Sequence, residues 1–204
     1  MGLIVLVAAT GLLLPRVVSA PAQVGIGQFY VPIIVVNLSL VFYVARVFRP
    51  RNALPDLLGD TWGGPRRVLV DLGVAIALFA LVAGLESLAV AGDSGRNAAV
   101  SALLPHTVAE RLAWVLLALC IGFAEEVVYR GYFQTQLGAF SRRAWVGIAL
   151  QAALFGIAHL DQGAARALRI GGYGVLFGIV AYQRRSLLPG IVAHVALDLA
   201  AGLH

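Results

Sequence analysis

From Val24 to Val44 the chain runs 21 residues without a charge, a length that as a helix covers about 31 Å and matches the hydrocarbon thickness of a bilayer. The rest of the sequence agrees with that run. Of 204 residues 60% are hydrophobic and only 12% charged, against about 25% charged in soluble domains. A water-facing surface around a chain this long needs more charge than that. The expected fold is therefore all-α, a polytopic membrane helical bundle forming a single integral membrane domain over residues 1–204.

About seven transmembrane helices are expected. Met1 to Ala20 opens as an apolar segment that resembles a secretory signal ending in Val18-Ser19-Ala20. No positive residue precedes it, however, and Pro21 would follow the scissile bond, so a short first helix is the reading adopted. Leu stands where a myristoylation motif beginning at Gly2 wants Ser or Thr. After Val24–Val44 come Val68 to Ala91, Leu112 to about Leu137, Ala144 to Leu160, a short glycine-rich Ile170 to Gln183, and Leu187 to His204. Phe48 to Pro65 reads as a polar turn region.

The net charge of +5 arises from 15 Arg, no Lys and 10 acidic residues. These arginines are scattered between apolar runs rather than gathered on a polar stripe, which disfavours nucleic-acid binding and suits topology-setting charge. Arg46, Arg49, Arg51, Arg66, Arg67, Arg142, Arg143, Arg184 and Arg185 fall on one side; Arg16, Arg96, Arg111, Arg166 and Arg169 fall on the other. The first set is expected in the cytoplasm, with the amino terminus inside and the carboxyl terminus outside. The single cysteine, Cys120, excludes an intrachain disulfide and reads as inert packing.

An ionisable group within a span costs about 2.5–3.5 kcal/mol on insertion scales, so each one demands a reason. Glu126 and Arg130, four residues apart, stack on one helical face and can pair. Glu125 lies about 100° around the helix from Glu126 and is expected to point elsewhere. A desolvated carboxylate without a partner of its own suits a general base. The competing reading is a structural ion pair plus a glutamate bonded to a neighbouring helix. His159, four residues after Phe155, is either a packed core residue or half of a water-activating pair with Glu125. If the two flanking helices form a hairpin turning at Arg142-Arg143, Glu125 and His159 are each 17 residues from Arg142 and come to one depth. His194 and Asp198 form a third pattern, again four apart, either a functional pair or a staple to the bundle. They lie roughly 13 and 20 Å along the helix from Arg185, whereas Glu125 lies about 25 Å from its turn. All three patterns share a level only if that hairpin tip protrudes into the cytoplasm. Glu86 lacks a sequence-local partner and reads as structural, and the GxxxG from Gly174 to Gly178 reads as close helix packing. His106 and His204 receive no role.

In this order on successive late helices, the patterns resemble the CAAX-processing and bacteriocin-processing (CPBP, or Abi) family of intramembrane endopeptidases. The resemblance covers Leu112 to Gly202, the expected catalytic core in the last four helices. It rests on Glu125-Glu126-x-x-x-Arg130-Gly131, Phe155-x-x-x-His159, and Ser186 to His194 leading to Asp198. What it implies is hydrolysis of a peptide bond in a membrane-tethered substrate, prenylated CAAX-type or bacteriocin-related, with lipid as the other partner and a bacterial cell membrane as the location. Glu125 and His159 would activate water, Glu126 and Arg130 would organise the site, and His194 with residue 198 would stabilise the oxyanion. Family members commonly carry Asn where this chain has Asp198, and an ionised aspartate cannot donate a hydrogen bond to an oxyanion. Glu, His, His and Asp could also hold a zinc ion. Only His194 and Asp198 have short helical ligand spacing, so a metal-free mechanism without cofactor is expected. The alternative is a non-catalytic membrane binding, immunity or scaffold protein that uses the same polar cluster structurally.

Overall fold

The computed structural model describes residues 26–47, Leu58, 64–91 and 104–203. The expected first helix, the polar turn region except its Leu58 and Gly64-Pro65, and His204 lie outside these residues. The described residues are helical, without a strand. They comprise α1 (Ile26–Val47), α2 (Pro65–Ala91), α3 (Val108–Glu125), a π-helical segment (Glu126–Phe133), α4 (Gln134–Ser141), α5 (Ala144–Ile157), a 3₁₀ turn (Leu160–Gln162), α6 (Ala164–Arg184) and α7 (Leu188–Leu203). Four rods are long and apolar enough to cross a membrane: Tyr30–Val47, Pro65–Ala89, Val108–Ser141 and Ala164–Arg184. Helices α5 and α7 are apolar but shorter.

Two boundaries differ from the sequence reading. The glycine-rich sixth segment starts at Ala164, not Ile170, and becomes a 21-residue helix. Its extra turns carry Arg166 and Arg169, which interrupt the hydropathy while reaching toward the membrane edge. The fifth segment ends at Ile157 rather than Leu160. There the chain must reverse into α6, which it does through the 3₁₀ turn and Gly163, whose φ of 94° suits only glycine.

Local chemistry fixes the other ends. Thr107 and Glu110 form a reciprocal capping box: the Thr107 Oγ1 accepts from the Glu110 N–H at 3.2 Å, and the Glu110 carboxylate accepts from the Thr107 N–H at 2.9 Å. Ser186 accepts from the Leu188 N–H at 3.2 Å, and Pro189 follows in the first turn of α7. Both α4 and α6 end on an arginine in the left-handed region, Arg142 at φ 55° and Arg185 at φ 49°.

Helices α3 and α7 run antiparallel and close together. Gly122 faces the Val195 backbone, and the Trp114 indole N–H donates to the Asp198 carbonyl at 2.8 Å. Helix α6 lies against α5 through Gly156, Gly171 and Gly174. The GxxxG is thus a packing surface, with Gly174 against Ala152 and Gly178 under two glutamine side chains. Those glutamines are buried ties. Gln151 donates to the Gly174 carbonyl at 2.8 Å, and Gln134 donates to the Gly178 carbonyl at 3.0 Å. Glu86 also gains partners: it accepts from the Tyr173 hydroxyl at 2.7 Å and sits 3.5 Å from Arg169, joining α2 to α6. At the other end of those helices Arg184 donates to the buried Asp71 at 2.7 Å, and Arg67 donates to the Arg184 carbonyl at 2.9 Å. Arg67, Arg142, Arg143, Arg184 and Arg185 therefore gather at one end of the bundle, away from Arg166 and Arg169.

Candidate active site

The π segment begins where the carboxylates stand. In it each N–H reaches back five residues, so the turn is wider and successive side chains are separated by a smaller angle than in an α-helix. That local widening changes the expected geometry. Glu125 does not point away from Glu126; both converge on one imidazole. The His194 Nδ1 lies 3.0 Å from Glu126 Oε1, and its Nε2 lies 3.5 Å from Glu125 Oε2 and 3.9 Å from Asp198 Oδ2. The first and third sequence patterns meet at one level.

That meeting settles the hairpin's geometry. Glu126 is 16 residues before Arg142, about 24 Å of helix, while His194 is nine residues after Arg185, about 13 Å. The α4–α5 tip therefore extends roughly 10 Å past the α6–α7 turn.

The two glutamates are held very differently. Glu126 is wholly buried and pairs with Arg130 at 2.8 Å, the expected i,i+4 bridge, while also facing His194. Its other oxygen lies against Gly190, where any Cβ would come within 2.6 Å. Arg130 is equally buried, its guanidinium 4.3 Å from the Phe155 ring and 5.1 Å from the Phe177 ring. A cation between two aromatic faces and a carboxylate is a fixed element of the site. Glu125 has 19% of its side chain exposed, and its ionic contact, the one to His194, is long. Asp198 is more open, at 30%.

His159 stands two residues beyond the end of α5, in the turn rather than on the helix. Its Nδ1 lies 2.8 Å from the Phe155 carbonyl. A carbonyl only accepts, so Nδ1 is the donor here, and in the neutral ring the lone pair is on Nε2. Phe155 joins the two imidazoles: its ring is 4.8 Å from that of His159 and 6.0 Å from that of His194. The imidazole within ionic reach of Glu125 is His194, while His159 approaches through the Phe155 wall.

Both His194 nitrogens face carboxylate oxygens. Among the described residues no group of three or more His, Cys, Asp or Glu side chains is arranged to hold a metal ion. Sequence reasoning missed Gly190, Phe177 and the two glutamines. Gln134 and Gln151, polar groups inside apolar helices, were the available signal.

Fold and site together define a multi-pass membrane protein with a partly buried Glu/Arg/His/Asp centre. Residues 107–200 match the family model described as Rce1-like, type II CAAX prenyl endopeptidase Rce1-like. That match supports placing residues 107–200 among the CPBP/CAAX proteases. No curated protein and no solved structure matches the chain.

Proposed function

We propose that the protein is an intramembrane endopeptidase, with its catalytic core in the last four spans of a bundle of about seven. The substrate is a membrane-tethered peptide of the CAAX type. Glu125 accepts a proton from water, whose oxygen adds to the scissile carbonyl carbon. The same proton passes to the amide nitrogen, the C–N bond breaks, and a carboxylic acid and an amine are released, the acid giving up its proton to solvent. His159 offers its Nε2 lone pair to the attacking water. Glu126, fixed by Arg130, holds the His194 Nδ1 so that Nε2 faces the reacting group and donates to the oxyanion. Asp198 supports that imidazole and is not itself the oxyanion donor.

The observation that carries this reading is the unequal treatment of adjacent carboxylates. Glu126 is locked from three sides, and Glu125 is left partly open with one long contact. A staple between helices accounts for the first and has no use for the second.

The test is mass spectrometry of a farnesylated Cys-a-a-X peptide incubated with the purified protein in vesicles. A cleaved product from wild type, absent with Glu125→Ala and with His159→Ala, is expected, and a chelator leaves the wild-type rate unchanged. Undiminished turnover in both variants removes the proposal. No product from any tethered peptide, together with variants that only lose stability, favours the scaffold or immunity reading.

A further inference from the structure

Beside the cluster, between the protruding α4–α5 tip and the α6–α7 turn, lies a groove of about 420 Å³. Arg130 lines its floor, and Arg142, Arg143 and Arg185 line its mouth, with no Asp or Glu among the lining residues. The three mouth arginines are exposed, and among the described residues no carboxylate pairs with them. At the floor, Arg130 Nε and Nη2 are buried donors without an acceptor. The sequence also keeps Arg142 and Arg185 at left-handed positions that glycine fills at lower cost, which fixes where those two side chains leave the backbone.

We propose that this groove binds the carboxyl-terminal carboxylate of the substrate, with Arg185, Arg142 and Arg143 as the receiving cations. The proposal rests on the peptidase reading above. A CAAX box is the last four residues of a chain, so its carboxylate lies at most three residues past the cysteine. Three extended residues span about 10 Å. Arg185 stands about 13 Å of helix from His194, within the reach of that segment plus an arginine side chain. The groove thus sets the scissile bond by its distance from the chain's end. A lipid phosphate offers similar anionic chemistry to the same arginines, and the experiment separates the two.

The measurement is kcat/KM for a farnesylated Cys-a-a-X peptide with a free carboxylate and for its carboxyl-terminal amide, in zwitterionic detergent. Wild type prefers the acid by about tenfold or more, the size of a charge-assisted contact. Arg185→Gln, alone and combined with Arg142→Gln and Arg143→Gln, raises KM for the acid and brings the acid-to-amide ratio toward one. Arg111→Gln removes the same charge from the opposite end and leaves the ratio at the wild-type value. Equal rates on both peptides in wild type, or an unchanged ratio in the triple variant, overturn the proposal. So does an effect that appears only in anionic vesicles and equally for both peptides, which assigns the arginines to lipid. Failure of wild type to cleave either peptide takes the peptidase reading down with it, whereas equal cleavage removes the carboxylate site alone.

Discussion

At the scale of single residues, the site depends on a contrast that two neighbouring glutamates could not reveal by identity. The Glu126–Arg130 pair was legible, because a four-residue spacing puts both on one face whether the turn is α or slightly wider. The convergence of Glu125 on the same imidazole was not, because it depends on the π segment, which no local residue pattern announced. Gly190 had the same invisibility. Its missing Cβ matters only because Glu126 Oε2 occupies that space. Gly190→Ala is expected to displace the Glu126 carboxylate, destabilise the fold by about 1–3 kcal/mol as overpacking does, and lower turnover. Thermal denaturation with an activity assay checks this, and wild-type behaviour in both contradicts it. Arg130→Gln leaves a buried carboxylate without its counterion and is expected to cost about 3–5 kcal/mol, read as a fall in the thermal midpoint.

At the scale of elements, most helices were legible from hydropathy because lipid demands long apolar runs. The misplaced ends lie where that signal is interrupted. Arg166 and Arg169 hid the first turns of α6, and the apolar Ala158 disguised the end of α5. The pairing of α5 with α6 follows from small residues facing one another, and the Gln134 and Gln151 ties need the assembled bundle to be recognised. The π segment gives this scale its own prediction. Deleting Val128 removes the extra residue of the wide turn and lets the rod continue as α-helix, rotating the glutamates by about 100° relative to α4. Circular dichroism should show unchanged helix content while turnover disappears. Retained turnover contradicts the role given to the wide turn.

At the scale of the whole molecule, the arginine asymmetry predicts the orientation, and the described residues carry seven of the nine arginines of the rich side, Arg46, Arg66, Arg67, Arg142, Arg143, Arg184 and Arg185, toward one end. That end is expected in the cytoplasm. In a Cys120→Ala background, Arg142→Cys should react with an impermeant thiol reagent from the cytoplasmic side, and His106→Cys from the other. The reverse labelling would invert the topology. The family match covers residues 107–200, the part that carries every proposed catalytic side chain, while α1 and α2 frame it through Val44, Leu40 and the Glu86 and Asp71 ties.

In the proposed mechanism Glu125 is free for chemistry while Glu126 holds the bundle. The direct measurement is the thermal midpoint and the turnover of a tethered peptide for Glu125→Gln and Glu126→Gln beside wild type. Glu125→Gln is expected to keep the wild-type midpoint and lose about 10²–10⁴-fold in turnover, the usual contribution of a general base, while Glu126→Gln lowers both. Wild-type turnover in Glu125→Gln, or a loss of activity that only tracks a lost fold, would contradict that mechanism.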